Sequence, residues 1–381
     1  MNRTIPFGKP ILGEEEKAAV MAVMDSGIMV HGPKIKEFEQ AFAGFTGAPY
    51  AVGVSSCTAG LHLTYFALGI GPGDEVLVPA MTHTATVHAV ELVGARPVFV
   101  DAEAQTGNID LEQAESLITV KTRAISVVHY LGMPVDMRRV QQIAAKHKLH
   151  IIEDCALSLG GRLGGRHTGL FGVSGCFSFY PVKHLTTAEG GMLITTDPRL
   201  AEQIELVRAF GVDRHHGVRK VPGFYDVVAL GFNYRMSEIH AAIGIEQMKR
   251  LPGFLAQRKK NYEALTAALR KVPSVDLLQS SRGEFQSSYY CHLFRLPDSL
   301  KADRPAIMDR LKALGVGTSI YYPQPVARMT YYRRKYGYTE GQYPNAERIA
   351  DAGIALPVGP HLKEEDMAYI GEQVQKVLAD Y

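Results

Sequence analysis

The stretch that decides the fold runs from residue 50 to residue 195 and begins Tyr50-Ala51-Val52-Gly53-Val54-Ser55-Ser56-Cys57-Thr58. In this stretch, short β-branched runs alternate with segments that carry apolar residues at helical spacing. The runs cover residues 50–54, 75–78, 97–100, 124–128 and 149–153, and the helical segments cover residues 59–68, 83–93, 110–118 and 136–147. This alternation predicts an α/β fold with a mainly parallel sheet that is covered by helices on both faces.

The 381 residues exceed the size at which one hydrophobic core stops growing, so we expect two domains that share a cleft. A long helical pattern from about Phe254 to Lys271 leads into a different pattern, with the apolar run Tyr289–Phe294 and a terminal helix. We therefore predict a large domain over residues 1–250, which includes the N-terminal segment, and a smaller α+β domain over residues 251–381.

Composition and charge exclude several classes of protein. Apolar residues make up 46% of the chain and the formal net charge is +2, with Lys and Arg scattered, so nucleic acid is not an expected partner. The sequence shows neither an apolar signal core at its start nor a run of about 20 apolar residues, so we expect a cytoplasmic protein without a membrane span. The 4 cysteines form no CxxC pair, so we expect reduced thiols rather than disulfides or a metal site: Cys57, Cys155, Cys176 and Cys291.

A lysine stands in a turn after an apolar strand pattern, in the segment Cys176-Phe177-Ser178-Phe179-Tyr180-Pro181-Val182-Lys183. The pair Gly190-Gly191 follows where the backbone must fold back tightly. From these residues alone two interpretations stay open. Lys183 is either an ordinary surface lysine or a functional amine.

A carboxylate ends the fifth run, which reads Ile151-Ile152-Glu153-Asp154. An unpaired ionised group at the end of a buried central strand would cost several kcal/mol, so Asp154 needs a cationic or hydrogen-bonding partner. A pyridinium nitrogen is such a partner in pyridoxal-phosphate enzymes. A helix cap or an internal salt bridge is the alternative.

Small hydroxylated residues lie between the first strand and the following helix, in Val54-Ser55-Ser56-Cys57-Thr58-Ala59. Free backbone N–H groups at a helix N-terminus, together with the Thr58 hydroxyl, suit a phosphate dianion. A plain capping sequence would look the same. In sheets of this class ligands bind beyond the carboxyl ends of the strands, so we expect these residues and Asp154 to meet in one crevice.

Further motifs extend this pattern along almost the whole chain. They are Ser26-Gly27, Gly32-Pro33, Phe38-Glu39, Gly69-Ile70-Gly71-Pro72-Gly73-Asp74-Glu75-Val76, Glu153-Asp154, Ser178-Phe179-Tyr180-Pro181-Val182-Lys183, Glu189-Gly190-Gly191, Gly231-Phe232-Asn233-Tyr234-Arg235-Met236-Ser237 and Leu356-Pro357. With these motifs the chain resembles the fold-type I pyridoxal-phosphate enzymes of the DegT/DnrJ/EryC1/StrS family, the nucleotide-sugar aminotransferases. The resemblance implies a mainly parallel seven-stranded sheet in the large domain.

The resemblance also implies roles for single residues. Lys183 would hold pyridoxal 5′-phosphate as a Schiff base, and Asp154 would keep the ring nitrogen protonated. Asn233 and Arg235 would reach the site from the second subunit of a homodimer, although a helix-capping turn is an alternative for both. The implied cofactor contacts are Cys57, Thr58, Ala59, His83, Asp154, Leu157, Ser178, Lys183 and Asn233, and the implied substrate contacts are His184, Arg235, Tyr321 and Tyr322.

The chain departs from the family pattern at four of these positions. His83 stands where an aromatic residue usually stacks on the cofactor ring. Leu157 replaces a Gln or His and cannot donate a hydrogen bond. Cys57 replaces a common Gly, and Tyr321 stands where a His is often found.

The function that the resemblance implies is transfer of an amino group from glutamate to a nucleotide-linked keto-sugar by way of the pyridoxamine form of the cofactor. The spacing from Lys183 to Gly191 is closer to the subgroup that aminates 4-keto-6-deoxy sugars. The alternatives are a sugar dehydratase or deoxygenase of the same family, against which Lys183 argues, and a non-catalytic regulator that binds the cofactor. A dinucleotide-binding protein is excluded because the first strand is not followed by GxGxxG.

Overall fold

The structure is a computed structural model that describes residues 3–213, 224–273 and 275–381. Its helices are α1 (Glu14–Ser26), α2 (Pro33–Thr46), α3 (Cys57–Ala67), α4 (Thr84–Leu92), α5 (Leu111–Ser116), α6 (Met137–His147), α7 (Pro198–Val207), α8 (Glu238–Leu269), α9 (Arg304–Ala313), α10 (Thr330–Tyr336), α11 (Pro344–Ala352) and α12 (Glu364–Leu378). Its strands are β1 (Tyr50–Val54), β2 (Glu75–Pro79), β3 (Arg96–Val100), β4 (Thr122–Val128), β5 (His150–Asp154), β6 (Arg162–Leu163), β7 (Arg166–His167), β8 (Ser174–Ser178), β9 (Gly191–Thr195), β10 (Asp276–Leu277), β11 (Phe285–Gln286), β12 (His292–Arg295) and β13 (Gly353–Leu356). Each predicted run and helix between residues 50 and 154 corresponds to one of these elements, within a few residues at its ends.

The large sheet has seven strands in the order β1-β9-β8-β5-β4-β2-β3. Strands β2, β3, β4, β5 and β8 pair in parallel, which confirms the predicted mainly parallel α/β sheet. Strand β9 runs antiparallel to both of its neighbours, β1 and β8. Strands β5 and β8 therefore lie side by side in the sheet, and their carboxyl ends, at Asp154 and Ser178, point to the same edge.

A second core belongs to the C-terminal part of the chain. Strand β12 pairs antiparallel with β10 and β13, and helices α9 and α12 pack against this small sheet. The N-terminal residue Ile5 joins this core, where its N–H donates to the carbonyl of Gly315 (2.7 Å). The division at residue 250 stays a prediction, and that residue lies inside helix α8.

Helix α8 is longer than the sequence pattern predicts. It begins after the N-cap Ser237, whose hydroxyl accepts from the N–H of His240, and it continues through Pro252. Proline in a helix interior removes a hydrogen bond, which is why a pattern starting at Phe254 suggested a shorter helix. Packing overrides this local cost because α8 contacts α1, α2 and α12 along its length.

Candidate active site

Asp154 lies at the carboxyl end of the central strand β5 and is 3% exposed. Its Oδ1 accepts from the backbone N–H of Ala156 (3.0 Å), and the Sγ of Cys57 lies 3.8 Å from the same oxygen. Its Oδ2 accepts from the hydroxyl of Thr86 (2.7 Å). These contacts fix the position of the Asp154 carboxylate at the strand end.

Lys183 lies in the turn after β8, where its backbone N–H donates to the carbonyl of Tyr180 (2.9 Å). Its Nζ is 5.3 Å from the centre of the Tyr290 ring. Burial lowers the pKa of the Lys183 amine below its usual value, and the Asp154 carboxylate opposes part of that shift. A lowered pKa increases the fraction of neutral amine, which is the form that attacks a carbonyl carbon.

The N-terminus of helix α3 forms the third side of the site. The Ser56 hydroxyl caps the helix by accepting from the N–H of Ala59 (3.0 Å). Cys57 and Thr58 are in the first turn, where backbone N–H groups have no partner inside the helix. Strand β9 approaches this turn so closely that a Cβ on Gly191 would lie 2.4 Å from the carbonyl carbon of Ser56. Free N–H groups and the helix dipole make this turn suitable for a phosphate.

One cavity of about 260 Å³ joins these three groups. Its described lining is Ser56, Cys57, Thr58, Thr82, His83, Ala85, Val128, Asp154, Ala156, Leu157, Ser178, Tyr180, Lys183, Glu189, Gly190 and Tyr322. An amine, a buried carboxylate and a helix N-terminus thus share one enclosed space. The amine matches the aldehyde of pyridoxal phosphate, the carboxylate matches its ring nitrogen, and the helix N-terminus matches its phosphate. The residues present therefore fit this cofactor.

Several predicted cofactor contacts lie around this cavity. His83 is the N-cap of α4, where its Nδ1 accepts from the N–H of Ala85 (3.1 Å), and its ring lies edge-on to Tyr322 at 5.7 Å between centroids. Leu157 is buried in the cavity wall. Ser178 ends β8 and lies in the lining, whereas Ala59, in the first turn of α3, lies outside the described lining.

Other predicted residues lie outside the described lining of the cavity. His184 is buried and its Nε2–H donates to the carbonyl of Ser288 (3.0 Å). The Tyr321 hydroxyl contacts that of Tyr290 (2.7 Å). Asn233 is exposed, and the Arg235 guanidinium stacks over the Phe210 ring at 4.8 Å. The two residues expected from a second subunit, Asn233 and Arg235, thus lie outside the described lining of this chain's own cavity.

Sequence reasoning missed three residues that line the cavity, Thr82, Tyr180 and Glu189, and also Thr86, which lies outside the described lining. Thr82 and Thr86 carry buried hydroxyls 2.7 Å apart, and Thr86 contacts Asp154 directly. Tyr180 and Glu189 line the cavity although they were quoted only as parts of motifs. The spacing of four between the two threonines, at a predicted helix start, is the signal that could have identified them.

Glu153, the neighbour of Asp154, points to the other side of the sheet and is fully buried. Its carboxylate accepts from the N–H groups of Gly169, Phe171 and Gly172 (2.7 Å each) and from Nε2 of His129 (3.0 Å). Four donors fill the lone-pair sites of a carboxylate. Although His129, Glu153 and Cys155 lie close enough together to hold a metal ion, we therefore interpret this cluster as structural.

Among the described residues, none of the helices is both long enough and apolar enough to cross a membrane. The cysteines at positions 57, 155, 176 and 291 are free thiols and all are buried. The structure thus agrees with the expectation of unpaired thiols.

Comparison with known proteins identifies the family. The model of the DegT/DnrJ/EryC1/StrS aminotransferase family matches residues 10–375. The spore coat polysaccharide biosynthesis protein SpsC of Bacillus subtilis is 33% identical over 383 residues, which is 99% of this chain and 98% of SpsC. The putative sugar aminotransferase Spr1654 from Streptococcus pneumoniae, solved in a PMP form, is 29% identical with a TM-score of 0.94, covering 99% of this chain and 100% of that chain.

Two further structures extend this likeness. The PLP form of Spr1654 gives a TM-score of 0.93 at 30% identity and covers 99% of both chains. Helicobacter pylori PseC, an aminotransferase involved in the biosynthesis of pseudoaminic acid, gives 0.91 at 26% identity and covers 100% of both chains. The chain therefore belongs to the DegT/DnrJ/EryC1/StrS aminotransferase family and is a pyridoxal-phosphate-dependent sugar aminotransferase.

Proposed function

We propose that this chain transfers the amino group of glutamate to a nucleotide-linked keto-sugar, and that the acceptor is a 4-keto-6-deoxy sugar. The observation that carries the proposal is the shared cavity of Lys183, Asp154 and the N-terminal turn of α3. Pyridoxal phosphate, when bound, supplies an electron sink that stabilises the carbanion formed at the substrate carbon.

The protein residues supply binding, orientation and proton transfer. The N–H groups of the first turn of α3 and the Ser178 hydroxyl hold the phosphate. Asp154 keeps the ring nitrogen protonated, because its buried charge favours a cation beside it. Lys183 would hold the cofactor aldehyde, and its free amine would accept and return a proton at the substrate carbon. Burial lowers the pKa of Lys183, which increases the fraction of neutral amine that can accept a proton.

The relatives and the cavity entrance support a sugar substrate. SpsC is named for spore coat polysaccharide biosynthesis, and PseC for the biosynthesis of pseudoaminic acid. The rings of Phe7, Tyr290 and Tyr322 surround Tyr321 beside the cavity, with centroids 5.3–5.9 Å from its ring. Aromatic rings of this kind offer apolar faces to the C–H groups of a sugar and hydroxyls to its oxygens. Tyr321, Tyr322, His184 and Arg235 stay predicted substrate contacts.

We further propose that the active unit is a homodimer. An exposed apolar surface adjoins Asn233 and Arg235, and its members include Phe210 (47% exposed), Val227 and Val228 (58% each) and Leu230 (70%). A patch of this kind on a globular protein marks an interface. The buried Nε of Arg235 has no hydrogen-bond partner among the described residues, which favours an acceptor from a second copy or a bound anion. The free thiols support a reducing, cytoplasmic location.

The substrate is tested by incubating the enzyme with glutamate and a panel of nucleotide-linked 3-keto and 4-keto sugars, with products read by mass spectrometry. We expect one 4-keto sugar to exchange its keto oxygen for an amino group while 2-oxoglutarate accumulates. Loss of a sugar hydroxyl without glutamate consumption would instead identify the dehydratase. Lys183→Ala should abolish turnover and the absorbance of the lysine-bound cofactor, and normal turnover in this variant would refute the site.

The composite site is tested by mixing two inactive variants, Lys183→Ala and Arg235→Ala. Random exchange of subunits makes about half of the dimers mixed, and each mixed dimer has one intact site if lysine and arginine come from different subunits. We therefore expect recovery of about a quarter of the wild-type activity under subunit exchange. If the mixture stays inactive although mass spectrometry detects mixed dimers, the two residues do not meet across an interface.

A further inference from the structure

The two oxygens of the Asp154 carboxylate are not equivalent. Oδ1 accepts from the N–H of Ala156, and the Cys57 thiol, whose Sγ lies 3.8 Å from Oδ1, is nearer to the carbonyl of Cys176 (3.4 Å). Oδ2 faces the hydroxyl of Thr86. A carboxylate oxygen accepts about two hydrogen bonds. Among the described residues, Oδ2 thus has one donor and keeps a lone pair beside the cavity, where Asp154 is part of the lining.

The hydroxyl of Thr86 belongs to a chain with a fixed direction. Its Oγ1 lies 2.7 Å from Oδ2 of Asp154 and 2.7 Å from Oγ1 of Thr82. Each hydroxyl carries one hydrogen, and an ionised carboxylate can only accept. Thr86 must therefore donate to Asp154 and accept from Thr82. Both threonines are at most 1% exposed, so water does not compete for these bonds.

The start of helix α4 places both hydroxyls. His83 is the N-cap, Thr86 stands in the first turn, and Thr82 precedes the cap. Helix α4 packs against α3, β2 and β3, and its first turn brings the Thr86 hydroxyl within hydrogen-bond distance of Asp154 at the end of β5. The bond from Thr86 to a charged oxygen is of the charge-assisted kind, which is about twice as strong as a neutral one.

We propose that Thr82 and Thr86 are positioning residues, whose hydroxyl chain fixes the orientation of the Asp154 carboxylate and leaves a lone pair of Oδ2 for the ring nitrogen of the cofactor. This inference rests on the proposed role of Asp154. Its consequence is that protonation of the ring nitrogen depends on two side chains that do not touch the cofactor nitrogen themselves.

The test uses the holoenzyme loaded with pyridoxal phosphate that carries ¹⁵N in the ring, and it reads the ¹⁵N chemical shift together with the rate of the half-reaction with glutamate. Thr86→Val removes the hydroxyl and keeps the shape of the side chain, whereas Thr86→Ser keeps the hydroxyl. We expect Thr86→Val to move the shift towards that of unprotonated pyridine and to slow the half-reaction roughly 10- to 100-fold. That loss equals about 1.4–2.7 kcal/mol at 1.36 kcal/mol per tenfold.

Two controls separate the hydroxyl from packing. Thr86→Ser should stay close to wild type in both measurements, and Thr84→Val, a similar change at a neighbouring threonine of α4, should leave both unchanged. An unchanged ¹⁵N shift in Thr86→Val would overturn the inference. Equal impairment of Thr86→Ser and Thr86→Val would overturn it as well, because the methyl group and not the hydroxyl would then matter.

Two more variants keep the test decisive. If Thr86→Val does not fold, Thr82→Val breaks the chain one bond further away and should move the shift in the same direction with a smaller loss of rate. Asp154→Asn removes the charge itself. If the ¹⁵N shift is unchanged in Asp154→Asn, the proposed role of Asp154 fails; if it changes there but not in Thr86→Val or Thr82→Val, only the present inference fails.

Discussion

Replacement of Glu153 by glutamine should destabilise the protein by about 3–5 kcal/mol, the usual cost of breaking a fully buried charged network. The carboxylate is 0% exposed and accepts four N–H donors, two on each oxygen. Oε1 accepts from Phe171 and Gly172, and Oε2 accepts from Gly169 and His129. An amide has only one acceptor oxygen, so its NH₂ group must face two donors in either orientation.

A change of histidine tautomer does not relieve this conflict. If the NH₂ group replaces Oε2, His129 could accept through Nε2 only by moving its hydrogen to Nδ1. That nitrogen already accepts from the N–H of Val135 (3.1 Å), so a new donor–donor contact would form there. Two buried donors are left unpaired in each arrangement, at about 1–3 kcal/mol each.

The assay is guanidinium unfolding of the apo protein, followed by far-UV circular dichroism, for the wild type and Glu153→Gln. Glu115→Gln is the matched control because Glu115 accepts from Arg139, Lys146 and His147 at the surface, where ion pairs contribute little. We expect a lower unfolding midpoint only for Glu153→Gln. If its free energy of unfolding is within about 1 kcal/mol of the wild type, the four-donor network does not carry the stability that we assign to it.

Two further predictions concern other parts of the site. Gly191→Ala would place a Cβ 2.4 Å from a backbone atom of Ser56 and 2.6 Å from the N of Cys57, so we expect weaker binding of pyridoxal phosphate in a fluorescence titration. Gly44 lies in helix α2 with open space where a Cβ would lie, so Gly44→Ala should instead raise the midpoint of thermal unfolding slightly. If Gly44→Ala weakened the binding of pyridoxal phosphate as much as Gly191→Ala, the steric reason would be contradicted. Lys183→Met should raise the melting temperature of the apo protein at neutral pH, because burial lowers the folded-state pKa of this amine and the unfolded chain binds the proton more tightly. The wild type should therefore gain stability from this amine as the pH rises from the lowered pKa towards 10.5. The difference in melting temperature between Lys183→Met and the wild type should shrink over that range. A difference that stays constant with pH would contradict the role of the lysine charge.

The sequence indicates the strands that carry the active site because their signal is local. A central strand that is buried on both faces reads as a continuous apolar run, and the residue that ends it is conspicuous if it is charged. This is how Asp154 was identified, and the glycine pair after Lys183 marks the turn of that lysine in the same way. The structure brings both side chains into one cavity, as the parallel order of β5 and β8 requires.

Local patterns could not indicate which segments become neighbours. Strand β9 was not predicted to lie between β1 and β8, because an antiparallel insertion depends on pairing partners about 140 residues apart in the chain. The start of α8 was placed too late because Pro252 outweighs, in a local pattern, the packing that keeps the helix continuous. Ile5 likewise joins a core formed by residues more than 250 positions away.

By itself, then, the sequence determined the α/β class and the strand ends, since side-chain periodicity is written within a few residues. The roles of Lys183 and Asp154 stay predictions that the family resemblance implies. Only the tertiary structure decided which groups surround that carboxylate. Thr86 contacts Asp154 across 68 positions of sequence, and this contact exists because the fold brings the first turn of α4 to the carboxyl end of β5. Hydrogen-bond direction and burial are properties of neighbours in space, so they follow from the packed fold and not from the order of residues.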